Sequence, residues 1–345
     1  MKPPIIDVHA HLAGVGHGDT GCWMSPAKYD SVMYRLLRRS LGLANVANSG
    51  NVDLAYLERM EADLASAAGH AALDAVIIYP HERTYNDDGT PAAGQEMYVP
   101  NDYAIACARR SQQQPTAGGN SWRFLPAMSV HPYRPDALDE TCRLIDAGAV
   151  AMKWLPASQN IDGRDRRCLA IFDMLARRKV PLIAHTGSEH TLRVIRPDLA
   201  DPDTLTPALQ AGVTVIMAHC AASALPWEKD YTRRFVALAR QYPNCYGDTS
   251  ALAAPGRMRH LRRLLREGIA DKLVHGSDYP VPPVAWLALW NLGWRKTRQL
   301  SSIWSSFERD IAIKRALGVP EAVFTKAASL LPPGALARWG LGNQA

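Results

Sequence analysis

The sequence lacks the markers that announce several protein classes. Its six cysteines (Cys22, Cys107, Cys142, Cys168, Cys220 and Cys245) are scattered, with no CxxC pair. That argues against a structural zinc knuckle or a disulfide framework and leaves reduced thiols as the expectation. No stretch approaches the ~20 apolar residues of a membrane-spanning helix. The opening MKPPIIDVHAH carries no apolar signal region, so a cytoplasmic location is expected. No GxGxxG follows the first predicted strand, which removes the usual support for a dinucleotide site. Nucleic acid has no motif either, although the formal charge is +6. The basic residues fall in runs such as Arg35–Arg38–Arg39 and Arg257 to Arg266, where interleaved leucines give each run an apolar face. Such runs read as solvated outer faces of helices, and the charge only mildly favours an anionic ligand.

What is present is a regular alternation. With 345 residues and 47% hydrophobic content, the chain can bury a large core. Predicted strands fall at 5–12, 73–80, 123–132, 149–156, 180–187, 213–220, 244–250 and 272–280. Segments of helical period separate most of them, such as ALDETCRLIDAG and RCLAIFDMLARRK. Eight β/α units fit a closed parallel barrel of the TIM type, (β/α)8, better than an open doubly wound sheet. The expectation is one domain over 1–345, with a barrel core at about 5–282, a long first loop and a helical C-terminal extension over 283–345.

The first strand, IIDVHAHL, organises the rest. In a strand alternate side chains share a face, so His9 and His11 point together and can converge on one metal ion. Lys153 falls near the end of strand four, His185 ends strand five, His219 ends strand six and Asp278 ends strand eight. In a parallel barrel these ends share the catalytic face. Five segments thus deliver four histidines, a lysine and an aspartate to one mouth, which points to a metal site and makes an enzyme of the chain.

The set HAH at 9–11, Lys153, His185 in AHTG, His219 in AHC and Asp278 in GSDYP resembles the amidohydrolase superfamily over nearly the whole length. The AHTG, AHC and GSDYP segments resemble its amidohydrolase-related branch of decarboxylases and hydrolases. MKWLPASQNID is similar to the part of dihydroorotases in which the strand-four lysine is carboxylated and bridges two metals. Dihydroorotases carry an arginine two residues after the second histidine; here that position is Ala13, so that activity is not expected.

An ammonium has no lone pair and cannot be a ligand, so Lys153 poses a choice. Carboxylated, it would bridge two ions, with His9, His11 and Asp278 on the first and His185 and His219 on the second. Unmodified, it would pair with an acid such as Asp248 beside one ion held by His9, His11, His185 and Asp278. His219 would then act as an acid/base or carbonyl-polarising group. The favoured expectation is a metal-dependent hydrolase cleaving the C–N or C–O bond of a small amide, lactam or lactone. Metal-bound hydroxide would attack, with Asp278 moving the proton. Zinc is expected from the nitrogen-rich set, with manganese as the alternative. A mononuclear decarboxylase of a ring acid and a non-catalytic binding barrel are the competing readings.

His81, His131 and Asp248 near strand ends, and His190 on the loop after strand five, are candidate substrate contacts. His275 has the opposite parity to Asp278 and should pack outward. Trp286, Trp290 and Trp294 recur every four residues, a stripe expected to pack against the barrel, with a substrate wall, a subunit contact or a membrane-surface patch as the alternatives. The glycines at 14, 16, 18 and 21 suggest either a lid or simple turns. A small-molecule substrate is the expected partner. The substrate and the oligomeric state stay open, although barrels resembling this one often form homodimers.

Overall fold

The computed structural model describes residues 3–44, 50–67, 73–113 and 122–341. LERMEADLASAAGHAAL (57–73) and DYAIACARRSQQQ (102–114), whose periodicity also predicts helices, run partly outside these residues, at 68–72 and 114. Eight parallel strands form one sheet in chain order. They are β1 (Ile6–His11), β2 (Ala75–Tyr79), β3 (Arg123–Met128), β4 (Ala151–Trp154), β5 (Leu182–Ala184), β6 (Val215–Met217), β7 (Cys245–Asp248) and β8 (Leu273–Val274). The first and last staves are drawn together by Val8 N–H on the His275 carbonyl (2.9 Å), Asp278 N–H on that of His9 (2.8 Å) and His11 N–H on that of Tyr279 (2.8 Å). The sheet therefore nearly closes as a TIM-type barrel, with helices between the strands.

The strands are shorter than the apolar runs that predict them, because the ends of those runs turn into loops at the mouth. AVIIY in β2 is buried at all five positions, as a stave covered on both faces requires. The outer helices show the matching stripe. Helix Arg167–Arg178 buries Cys168, Ile171, Phe172 and Leu175, the i, i+3, i+4, i+7 pattern of a one-sided helix. Its end at Lys179 is left-handed (φ 53°), as is Gly148 after helix Ala137–Ala147 (φ 111°).

The C-terminal extension is helical, at Leu289–Ser301, Ser306–Ala316 and Glu321–Thr325. It packs Phe307, Ile311, Val323 and Phe324 into the main core. It also reaches the last stave directly: Lys314 Nζ donates to the Gly276 carbonyl at 2.6 Å, and Val323 O accepts the N–H of His275.

The long first loop is pinned. The Asp53 carboxylate accepts from the N–H groups of Val15 (2.7 Å) and Gly16 (3.0 Å) and from the Thr20 hydroxyl (2.5 Å). A Cβ on Gly14 would stand 2.4 Å from Asp53 Oδ2, so glycine there permits the close approach. Trp23–Met24 pairs antiparallel with Met97–Tyr98, stitching this loop to the one after β2, a contact no sequence motif foretold.

Candidate active site

The residues at the strand ends meet. His9 Nε2, His11 Nε2 and Asp278 Oδ1 form a triangle with sides of 3.2, 3.3 and 3.4 Å. Ligand atoms of His9, His219 and Asp278 all lie within 4.8 Å of one another, and those three residues are buried. A point equidistant from the triangle's corners is about 1.9 Å from each, close to the ~2.0–2.2 Å of zinc–nitrogen and zinc–oxygen bonds. The protons support the same fit. Asp248 Oδ2 faces His9 Nδ1 at 2.8 Å. The Nδ1 proton is donated there, so Nε2 presents a lone pair to a carboxylate oxygen and a second imidazole, and a cation between them resolves that meeting.

His219 is held in the same sense. Its Nδ1 lies 2.9 Å from the Ser250 carbonyl, which accepts the Nδ1 proton and turns Nε2 towards the mouth. Its backbone N–H donates to Asp248 Oδ1 at 2.8 Å, so one carboxylate orients two histidines. Residues 219–221 are all left-handed (φ 53–57°), as is Asp278 (φ 71°). Non-glycine residues adopt this region only when surroundings enforce it, and such strain clusters at functional sites. Gly187, in the AHTG segment, is part of that enforcement: a Cβ there would meet the Ala221 backbone at 2.9 Å.

Burial pushes His9 and His219 well below the usual histidine pKa, helped by Lys153 for His9 and by Arg257 for His219. Both are thus neutral, the form that binds metal. Lys153 is fully buried, with Nζ 3.2 Å from His9 Nε2 and 4.6 Å from the centre of the Tyr79 ring. Burial pushes its pKa down to about 8. Among the described residues no ion pair joins Lys153 to Asp248, although the Asp248 charge is the chief one opposing that fall in pKa. Asp248 is fully buried behind His9, committed to His9, His219 and Ser250 rather than to substrate.

His185 stacks edge-on against His219 with ring centres 4.9 Å apart, but its nitrogens face Ser188 O (3.2 Å) and Glu189 Oε2 (3.3 Å). Glu189 is a site residue that sequence reasoning missed. Burial would raise its pKa, yet the His185 imidazole, the N–H groups of Thr191 and Leu192, and Arg257 hold it down at about 2. Its only sequence signal is an acid four residues past a strand-end histidine.

The weaker candidates separate. His81 is half-buried and lines a cleft of about 430 Å³ beside Thr84, Tyr85, Gln95 and Arg193; burial pushes its pKa down to about 4. His190 is exposed and paired with Glu228 at 2.7 Å. His131 departs from the expected substrate contact. It is fully buried between Tyr85 and Tyr133, with Nε2 on the Gln159 carbonyl and Nδ1 accepting the Tyr133 N–H, so neither nitrogen remains for a ligand. His275 packs outward against Phe324, as its parity predicts.

A family model described as Amidohydrolase matches residues 6–301. The chain belongs to the amidohydrolase family. It is accordingly an enzyme of the amidohydrolase-type hydrolase class, and its relatives generally employ divalent metals. No curated protein matches it in sequence. Among solved structures, an uncharacterized TIM-barrel protein of Bordetella bronchiseptica is 16% identical, with a TM-score of 0.55 over 90% of this chain and 99% of that one. A putative 2-pyrone-4,6-dicarboxylic acid hydrolase of Pseudomonas putida is 15% identical, with a TM-score of 0.50 over the whole of both chains. A probable enzyme of the same description from Acinetobacter baumannii, with citric acid bound, is 13% identical, with a TM-score of 0.51 over 97% and 99%. At these identities the likeness establishes a shared fold. Among the described residues, no helix of this amidohydrolase is long and apolar enough to cross a membrane.

Proposed function

We propose that this amidohydrolase uses a divalent metal to hydrolyse the C–N or C–O bond of a small amide, lactam or lactone. The observation that carries the reading is the His9–His11–Asp278 triangle with His219 beside it. His9, His11 and Asp278 would hold a first ion, and His185 and His219 a second, with a carboxylated Lys153 between them. A bound divalent ion supplies Lewis acidity, making water a stronger acid and a carbonyl a better electrophile. Zinc is favoured by the imidazole-rich donor set, with manganese as the alternative.

The chain's own groups do the rest. Asp278, at the mouth, takes a proton from the attacking water and returns it to the departing nitrogen or oxygen. Asp248 and Ser250 keep His9 and His219 in one tautomer. Lys153, with its depressed pKa, holds part of its population as free amine near pH 8. Its nitrogen lone pair forms the N–C bond to CO2, and the proton it sheds leaves a carbamate. His81, in the cleft it lines with Thr84, Tyr85, Gln95 and Arg193, would meet substrate.

The test is a hydrolysis screen of zinc- and manganese-loaded enzyme. Acid-bearing lactones come first because two fold neighbours are described as 2-pyrone-4,6-dicarboxylic acid hydrolases. The reading expects ring-opened product, and about a 10²–10⁴-fold loss in Asp278→Asn with circular dichroism unchanged. Undiminished turnover in that variant would refute the assignment.

A second reading, decarboxylation of a ring acid at a single ion, draws on one observation. The nitrogens of His185 turn towards Ser188 and Glu189, leaving His9, His11, His219 and Asp278 as the compact set. Release of CO2 without ring opening would select it.

A further inference from the structure

The tryptophan stripe does not pack against the barrel as its spacing suggests. Trp286 is 42% exposed, Trp290 96% and Trp294 62%, with Leu287 at 43% beside them. The inward face of this segment is already filled: Ala285, Ala288 and Leu300 join Ala253, Met258 and Ile313 in a small core of their own. The helix Leu289–Ser301 breaks at Gly293 (φ 73°, ψ 165°). Trp286 and Trp294 nevertheless touch, with ring centres 5.1 Å apart. Trp286 and Trp294 thus form an exposed indole pair, with Trp290 standing almost wholly in water four residues from each, a concentration of apolar surface of the kind that marks an interaction site.

The rim is of one sign. Arg295, Lys296 and Arg298 are exposed on the same helix, and no Asp or Glu occurs from 279 to 307. Helix Met258–Arg266 lies alongside, joined by Arg262 Nη1 on Asn291 Oδ1 (2.5 Å), and adds exposed Arg262 and Arg266 without an acid. A cleft of about 480 Å³ beside the indoles is lined by Trp294, Arg295, Arg298, Gln299 and Ser302. Among the described residues neither Arg295 nor Arg298 has an ion-pair partner.

We propose that the Trp286–Trp290–Trp294 face and its arginine rim form a docking surface for an anionic phospholipid bilayer. Charge complementarity selects this occupant. A two-fold contact with a second copy would bring the arginine rims towards each other. A bilayer surface takes indoles at the headgroup level and pairs guanidinium groups with phosphates, using both halves of the patch at once. The inference is independent of the chemistry at the barrel mouth.

The experiment is cosedimentation of the full-length, metal-loaded enzyme with phosphatidylcholine vesicles, with and without phosphatidylglycerol, while following tryptophan emission. Binding is expected only with phosphatidylglycerol, together with a blue shift. Trp290→Ala/Trp294→Ala and Arg295→Gln/Arg298→Gln should each weaken partition by about tenfold or more, whereas Arg35→Gln/Arg39→Gln should not. Three results would overturn the proposal. One is failure to bind anionic vesicles. Another is binding that the Arg35/Arg39 variant lowers as much and the tryptophan variant leaves alone, which is the general attraction of a cationic chain. The third is a solution dimer that Trp290→Ala dissociates.

Discussion

Asp248 Oδ2 accepts the Nδ1 proton of His9 across 2.8 Å, with both side chains fully enclosed, and this bond fixes which nitrogen of His9 faces the mouth. The same carboxylate accepts the backbone N–H of His219. One acid therefore sets the direction of two candidate ligands. Asp248→Asn should lower metal affinity by about 10–100-fold, the usual effect of losing such a supporting carboxylate. Titration of the chelator-stripped protein with zinc or cobalt reads this directly. An unchanged affinity would mean that Asp248 only props up the fold.

Lys153 makes the stability of the stripped enzyme depend on pH. Burial pushes its pKa down to about 8, against an ordinary lysine near 10.5. Below pH 8 the folded chain bears the whole cost of enclosing an ammonium. Between about 8 and 10.5 the unfolded chain binds more protons than the folded one, so stability rises with pH, by an amount on the order of 3 kcal/mol. Lys153→Met should remove that rise. Urea midpoints in CO2-free buffer from pH 7 to 10.5 check it.

Lys314 and Asp310 form a buried ion pair on helix Ser306–Ala316, and Lys314 also holds the Gly276 carbonyl two residues before Asp278. Removing one member of a buried pair leaves the other uncompensated. Lys314→Met should cost about 3–5 kcal/mol in urea unfolding. A change of less than about 1 kcal/mol would show that water reaches this pair.

Much of the barrel was legible because its staves are covered on both sides. A run such as AVIIY has no other comfortable place, and the alternation with one-sided helices leaves few topologies. The convergence of the candidate site was legible where spacing dictates it, as in His9 and His11, two residues apart on one face with Nε2 atoms 3.2 Å apart. What escaped depends on contacts distant in sequence. Asp248 looks like a mouth residue until the fold sets it behind His9, 239 positions away. His131 looks available until the Gln159 carbonyl, 28 positions on, occupies it. Glu189, by contrast, is only four residues from His185 and escaped because no sequence pattern shows that the loop after β5 turns its carboxylate back onto the imidazole. The tryptophans show a further limit. A stripe recurring every four residues reads the same whether it faces the core or the solvent, and only the filled pocket beneath Ala285 and Ala288 decides between the two.

The most direct test of the account is the metal content per chain, by elemental analysis of protein purified with bicarbonate and without chelator. Close to two divalent ions per chain are expected in the wild type, with a clear loss in Lys153→Met. A content near zero that neither zinc nor manganese raises would contradict it, leaving His9, His11, His185, His219 and Asp278 converging on nothing.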